Sequence, residues 1–155
     1  MADPSDPSLV GIARLAAASS EAAVRALAAR LFQDGKVKES FAAAAVLRER
    51  RSPTGLPFAG GAVALPHAEP EHVASAAIAV ATLARPVIFR EMGNPASELE
   101  VDLVVMPALT AKEQAASGLS RVLHLLQDAA LREELRAAGD DTALRASFER
   151  RWRRP

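Results

Sequence analysis

The run Val101-Asp102-Leu103-Val104-Val105 constrains the fold more than any other stretch of this chain. Four of its five residues are apolar and three are β-branched, so it reads as a central strand covered on both faces. The flanking sequence supplies helical patterns. From Ser20 to Gly35, Val24, Leu27, Ala28 and Leu31 recur at three and four residues. Ser20 offers a cap there, Glu21 a first-turn carboxylate and Gly35 a stop. A second helix is expected from about Lys38 to Arg50, with Phe41, Ala44, Ala45 and Arg48 on one stripe. Lys112 to Gln127, Asp128 to Ala138 and Asp141 to about Arg153 also read as helices, the last with Leu144 and Phe148 four apart. Helices at both ends with strands between them give the expected class, a single layered α/β domain.

Further expectations complete the outline. Ala76 to Thr82 and Glu100 to Met106 have strand composition and length. Pro86 to Phe89 suits a short edge strand, where proline costs least, and Gly93-Asn94-Pro95 marks a turn. Residues 1–8, with two prolines, suggest a flexible tail ahead of a domain over 9–155. A chain of 155 residues can bury a core without staples, and the absence of cysteine removes disulfides, thiolate metal sites and cysteine nucleophiles. With 19 basic and 19 acidic residues, nucleic acid is not the expected partner. No apolar run approaches membrane-spanning length, and the N-terminus lacks the charge and apolar pattern of a signal peptide. A cytoplasmic protein without membrane insertion is expected.

The chemistry concentrates between Arg48 and His67. Residues 52–66 hold three prolines and three glycines, so only Gly61 to Leu65 has room for a strand. This stretch ends on Pro66-His67. A histidine after a proline-rich loop is compatible with a purely structural role, but its neighbours favour anion chemistry. Gly55, Gly60 and Gly61 allow close backbone approach and expose N–H donors. Thr54 offers a hydroxyl, and Arg48 offers a planar fork for phosphate or carboxylate. An arginine on an apolar stripe also needs an acceptor partner, and Glu49 or Asp102 would serve. Imidazole can take and release a group near neutral pH, so reversible phosphoryl capture on His67 fits these residues. His72 lies in a polar turn, as a second donor or a solvated loop residue. His124, in a helical context, reads as structural. His67 and His72 lack a convincing third ligand for a metal. Glu98 and Glu100 read as solvated, and so does the run Arg150-Arg151-Trp152-Arg153-Arg154.

The ordered elements Arg48-Glu49, Pro53-Thr54-Gly55-Leu56 and Ala64-Leu65-Pro66-His67 resemble the phosphorylation-site region of enzyme IIA components. These belong to the bacterial phosphoenolpyruvate-dependent sugar phosphotransferase system, fructose/mannitol type. The resemblance runs from about Leu15 to Arg145 and is most specific over residues 48–67. It implies a mixed β-sheet flanked by helices on both sides and a phosphotransferase that carries the phosphoryl group covalently on His67, with no separate cofactor. It also implies Arg48 as phosphoryl stabiliser, Thr54 and Gly55 as phosphate-binding residues, and Glu49, His72 and Gln114 as accessory positions. The implied donor is the phosphocarrier protein HPr, and the implied acceptor is a cysteine of a sugar-specific enzyme IIB. Fructose and mannitol members commonly carry a second active-site histidine where Gln114 stands here. That substitution, with His72 five residues after His67, resembles the galactitol-type branch. A regulatory use of the same module, binding a transcription factor or kinase in a phosphorylation-sensitive way, is the alternative.

Overall fold

The structure, a computed structural model, describes residues 6–154, with the side chains of Lys112, Glu113 and Gln114 outside the described set. Its centre is a long antiparallel hairpin of β1 and β2, Ala77–Glu91 and Asn94–Ala108, with Val80 opposite Val105 and Ala77 opposite Ala108. Alternation along β1 decides the layering, because successive strand side chains point to opposite faces. Ala77, Ala79 and Ala81 pack into one core with α1 (Ser20–Gln33) and α2 (Phe41–Arg51), which contribute Val24, Leu27, Leu31, Phe41 and Val46. Ile78 and Val80 pack into the other, against α3 (Lys112–Leu126), α4 (Ala129–Ala137) and α5 (Asp141–Trp152). The small alanines let α1 and α2 sit close; the larger side chains meet Leu126, Leu131, Leu135 and Phe148.

Two shorter strands complete a mixed four-stranded sheet. β3 (Ser8–Leu15) runs parallel to β1 at one edge, and β4 (Ala62–Ala64) runs parallel to β2 at the other. Val101 to Val105 is therefore central, as its composition requires. The strand β3 lies where sequence patterning shows no element. Gly11 and Arg14 interrupt its pattern, and both have structural causes. A Cβ on Gly11 would lie 2.6 Å from the Asp141 carbonyl oxygen, so glycine lets α5 approach. Arg14 has φ 56° where the register slips between Ile12 and Leu15. Ser8, expected in the tail, already pairs with Ala77.

Other boundaries shift for local reasons. Pro86 to Phe89 is part of β1 rather than a separate strand. It lies beyond the last pairing to β3 at Leu83, so the missing N–H breaks no ladder on that side. Ser19, one residue before the expected cap, accepts from the Ala22 N–H at 3.1 Å. The arginine-rich end is solvated in part as expected, with Arg150, Arg153 and Arg154 exposed, but the helix runs through Trp152 and several of its side chains are engaged. Arg150 meets Glu134 at 2.6 Å, Arg151 pairs with Asp128, and Trp152 is buried with the Arg121 guanidinium 4.0 Å from its ring centroid.

Topology places the site. Because β4 and β2 are parallel, their C-terminal ends share one end of the sheet. His67 follows β4 and Leu109 follows β2, so both arrive there together.

Candidate functional site

His67 is held by its backbone neighbour on one side and by Arg48 on the other. Its Nδ1 lies 2.7 Å from the Leu65 carbonyl oxygen, an atom that can only accept, so Nδ1 carries the proton. Arg48 Nε donates to His67 Nε2 at 3.1 Å, which requires an unprotonated Nε2. The two contacts define one neutral tautomer with its lone pair facing Arg48. Burial holds the imidazole below its ordinary value of 6.5; the Leu65 bond works against this, Arg48 adds to it, and Glu69 opposes it.

The last turn of α2 delivers Arg48, whose Nη1 donates to Glu69 Oε1 at 2.6 Å. The expected partners, Glu49 and Asp102, are not the ones found: Asp102 pairs with Arg136 at 2.9 Å. The Arg48 side chain retains 39% exposure, so the stripe carries it to the rim of the core and not into it. Glu69 joins the site with no sequence signal of its own. It stands two residues after His67, and the same loop that presents the histidine presents the arginine's counter-ion. A cleft of about 160 Å³ adjoins them, with Pro70 and Pro107 on one part and Leu109, Ala116 and Leu119 on another. It leaves His67 approachable from an apolar side.

Thr54 and Gly55 take different places from those expected of phosphate ligands. Thr54 is buried, its hydroxyl donates to Glu49 Oε1 at 2.7 Å, and its N–H donates to Glu49 Oε2 at 2.9 Å. The Gly55 N–H donates to the Arg90 carbonyl at 3.0 Å, and a Cβ there would lie 2.5 Å from that oxygen. Both therefore support the loop from behind. The Gly61 N–H is likewise spent on the Phe58 carbonyl. Burial raises the Glu49 carboxyl above its usual value, despite the Thr54 bonds and nearby Arg48.

The remaining candidates separate. His72 closes a short 3₁₀ turn, Pro70–His72, and its Nδ1 is 2.8 Å from Ser40 Oγ at the start of α2. His124 is exposed on α3. Gln114 belongs to the first turn of α3, but its side chain lies outside the described residues. Glu98 meets Arg90 at 3.3 Å on the exposed hairpin. Among the described residues no cluster of three histidines or carboxylates could hold a metal, and no helix is long and apolar enough to cross a membrane.

A mixed sheet between two helical layers, with a histidine displayed just past an edge strand, defines an enzyme IIA type of domain. The chain belongs to the family "Phosphoenolpyruvate-dependent sugar phosphotransferase system, EIIA 2", whose model matches residues 6–150. It is thus a phosphotransferase component of that system's type. It is 37% identical over 91 residues to the transcriptional regulator ManR of Bacillus subtilis, covering 59% of this chain and 12% of the regulator. It is 33% identical over 137 residues to the 2-O-alpha-mannosyl-D-glycerate-specific EIIABC component of Escherichia coli, covering 79% of this chain and 20% of that protein. The chain thus spans a fifth or less of these curated relatives. In structure it is similar to the complex of the E. coli mannitol enzyme IIA and phosphorylated mannitol enzyme IIB. The TM-score is 0.70, with 96% of each chain covered, and at 19% identity this likeness speaks to the fold.

Proposed function

We propose that the chain is a cytoplasmic phosphocarrier that accepts a phosphoryl group from phospho-HPr on His67 Nε2 and passes it to a cysteine of a sugar-specific enzyme IIB. One observation carries this reading: the Leu65 carbonyl holds the proton on Nδ1, leaving Nε2 as the lone-pair nitrogen beside a guanidinium. The Nε2 lone pair attacks phosphorus; a new N–P bond forms as the donor's N–P bond breaks, and the donor imidazole keeps that electron pair. Arg48 must then leave the Nε2 lone pair, and its N–H groups turn to the phosphoryl oxygens. Charge on those oxygens is what a protein stabilises in phosphoryl transfer. Onward transfer reverses the roles, with a thiolate attacking and His67 leaving as the neutral imidazole.

Within this reading Gln114, in place of a second histidine, favours a galactitol-like branch over fructose or mannitol. Incubation with phosphoenolpyruvate, enzyme I and HPr tests the carrier role. Intact-mass measurement should show one added phosphoryl group, labile to acid and stable to base. An acid-stable label, or a label retained in His67→Ala, would refute it.

The similarity to ManR favours a second reading, in which phosphorylation of this module controls a regulator instead of feeding sugar uptake. Adjacent enzyme IIB and IIC genes support transport. A lone gene beside a regulator supports signalling.

A further inference from the structure

We propose that Glu49 and Thr54 are positioning residues that fix the reactive tautomer of His67 through the backbone of Leu65. This deepens the phosphocarrier reading and rests on it for its kinetic arm. The connection is continuous and directional. Glu49 uses one carboxylate oxygen for the Thr54 N–H and the other for the Thr54 hydroxyl. The Thr54 oxygen in turn accepts the Leu65 N–H at 3.0 Å. A backbone N–H can only donate, so the hydroxyl proton is committed to Glu49 and the hydroxyl lone pair to Leu65. Leu65 then accepts the His67 Nδ1 proton on its own carbonyl.

Leu65 is suited to act as a lever because both of its ends are set. Its N–H is tied to Thr54, and the following Pro66 confines it to extended conformations. Its side chain is fully buried in the core shared with Val63 and Leu103. The carbonyl direction therefore follows from where Thr54 stands. Thr54 is itself 3% exposed, and on the far side of Glu49 lies a separate cleft of about 380 Å³ bordered by Glu21, Arg50, Phe89 and Arg90. Neither Glu49 nor Thr54 is in hydrogen-bond contact with His67, so any effect on phosphoryl capture is transmitted and not direct.

The test must remove the second support of the tautomer, since Arg48 also demands an unprotonated Nε2. In an Arg48→Ala background with ¹⁵N-labelled imidazole, at a pH well above 6.5, His67 should stay protonated on Nδ1. Adding Thr54→Val should release it to a mixture with substantial Nε2–H, and Thr54→Ser should restore Nδ1–H. Glu49→Gln gives the same release, and is read instead where Thr54→Val does not fold. In the otherwise native protein, where Arg48 still favours an unprotonated Nε2, Thr54→Val should lower the maximal phosphorylation rate by less than about tenfold, with the KM for phospho-HPr unchanged. An Nδ1–H population that stays complete when Thr54→Val or Glu49→Gln is added to the folded Arg48→Ala protein overturns the proposal. Failure of the native chain to take up phosphate would instead refute the carrier reading, because the tautomer arm needs no phosphoryl donor.

Discussion

Replacing Arg48 by lysine separates chemistry from architecture, because the structure assigns the arginine two contacts of unequal consequence. Its Nη1 bond to Glu69 joins side chains that are 39% and 54% exposed. Solvent screens such a pair, and its loss costs at most about 1 kcal/mol. For a domain of this size that is a fall of about 2–4 °C in Tm. Its Nε bond to His67 Nε2 is different. On the carrier reading it sits where the phosphoryl group would arrive, and lysine has one ammonium where arginine has a planar set of donors. A single ammonium cannot hold Glu69 and the phosphoryl oxygens in the planar, two-sided geometry of a guanidinium. Losing one such stabilising donor should slow transfer by about tenfold to a thousandfold, or roughly 1.4–4 kcal/mol of barrier. The assay is the initial rate of phosphorylation by phospho-HPr, followed by intact mass, beside a thermal melt of the same variant. A normal rate in Arg48→Lys removes this residue from phosphoryl transfer. A large drop in Tm with a normal rate in the folded fraction makes it a structural residue.

Three further outcomes are expected. His72→Gln and His124→Gln should each keep phosphorylation within about tenfold of the native rate, since His72 faces Ser40 and His124 faces solvent; complete loss on changing His72 would make it a second catalytic histidine. NMR titration of His67 should give a midpoint below 6.5, so phosphoryl uptake persists as pH falls through that value and is lost only through the lower one. Because the unfolded chain takes up the proton first, this group makes stability fall as pH drops between the two values, and a midpoint above 6.5 would contradict the burial effect. Gly55→Ala should lower stability by about 1–3 kcal/mol, because its Cβ would press within 2.5 Å of a backbone oxygen held by the Gly55 N–H; an unchanged Tm would refute that packing.

Elements whose signals lie within a few residues were legible in the sequence. The α1 stripe, the covered run Val101 to Val105, and the five helices follow from local periodicity, since one buried face leaves its spacing in the chain. The strand β3 was not legible, because Gly11 and Arg14 answer to α5 and to a register slip rather than to the strand itself. The helix α2 begins at Phe41 and not at Lys38, because Val37 bridges Val73 and Lys38 bonds the His72 carbonyl in an extended pairing that no pattern around residue 38 announces.

The site divides along the same line. His67 and Arg48 stand out by residue type and by proline and glycine punctuation, and the fold brings them within 3.1 Å. Thr54 and Gly55 also stand out, but sequence proximity to an anion site does not reveal which way a donor points. Their donors face Glu49 and Arg90, so the Pro-Thr-Gly element works as scaffolding. Two contributions were hidden for opposite reasons. Glu69 is an ordinary carboxylate in a polar turn until α2 places Arg48 beside it. The Leu65 carbonyl belongs to the backbone, which every residue type carries alike. Yet that carbonyl fixes which imidazole nitrogen is free, and so the most specific chemical feature of the site is written in main-chain geometry. Side-chain motifs locate the histidine; the bond to Leu65 determines which of its nitrogens keeps the lone pair.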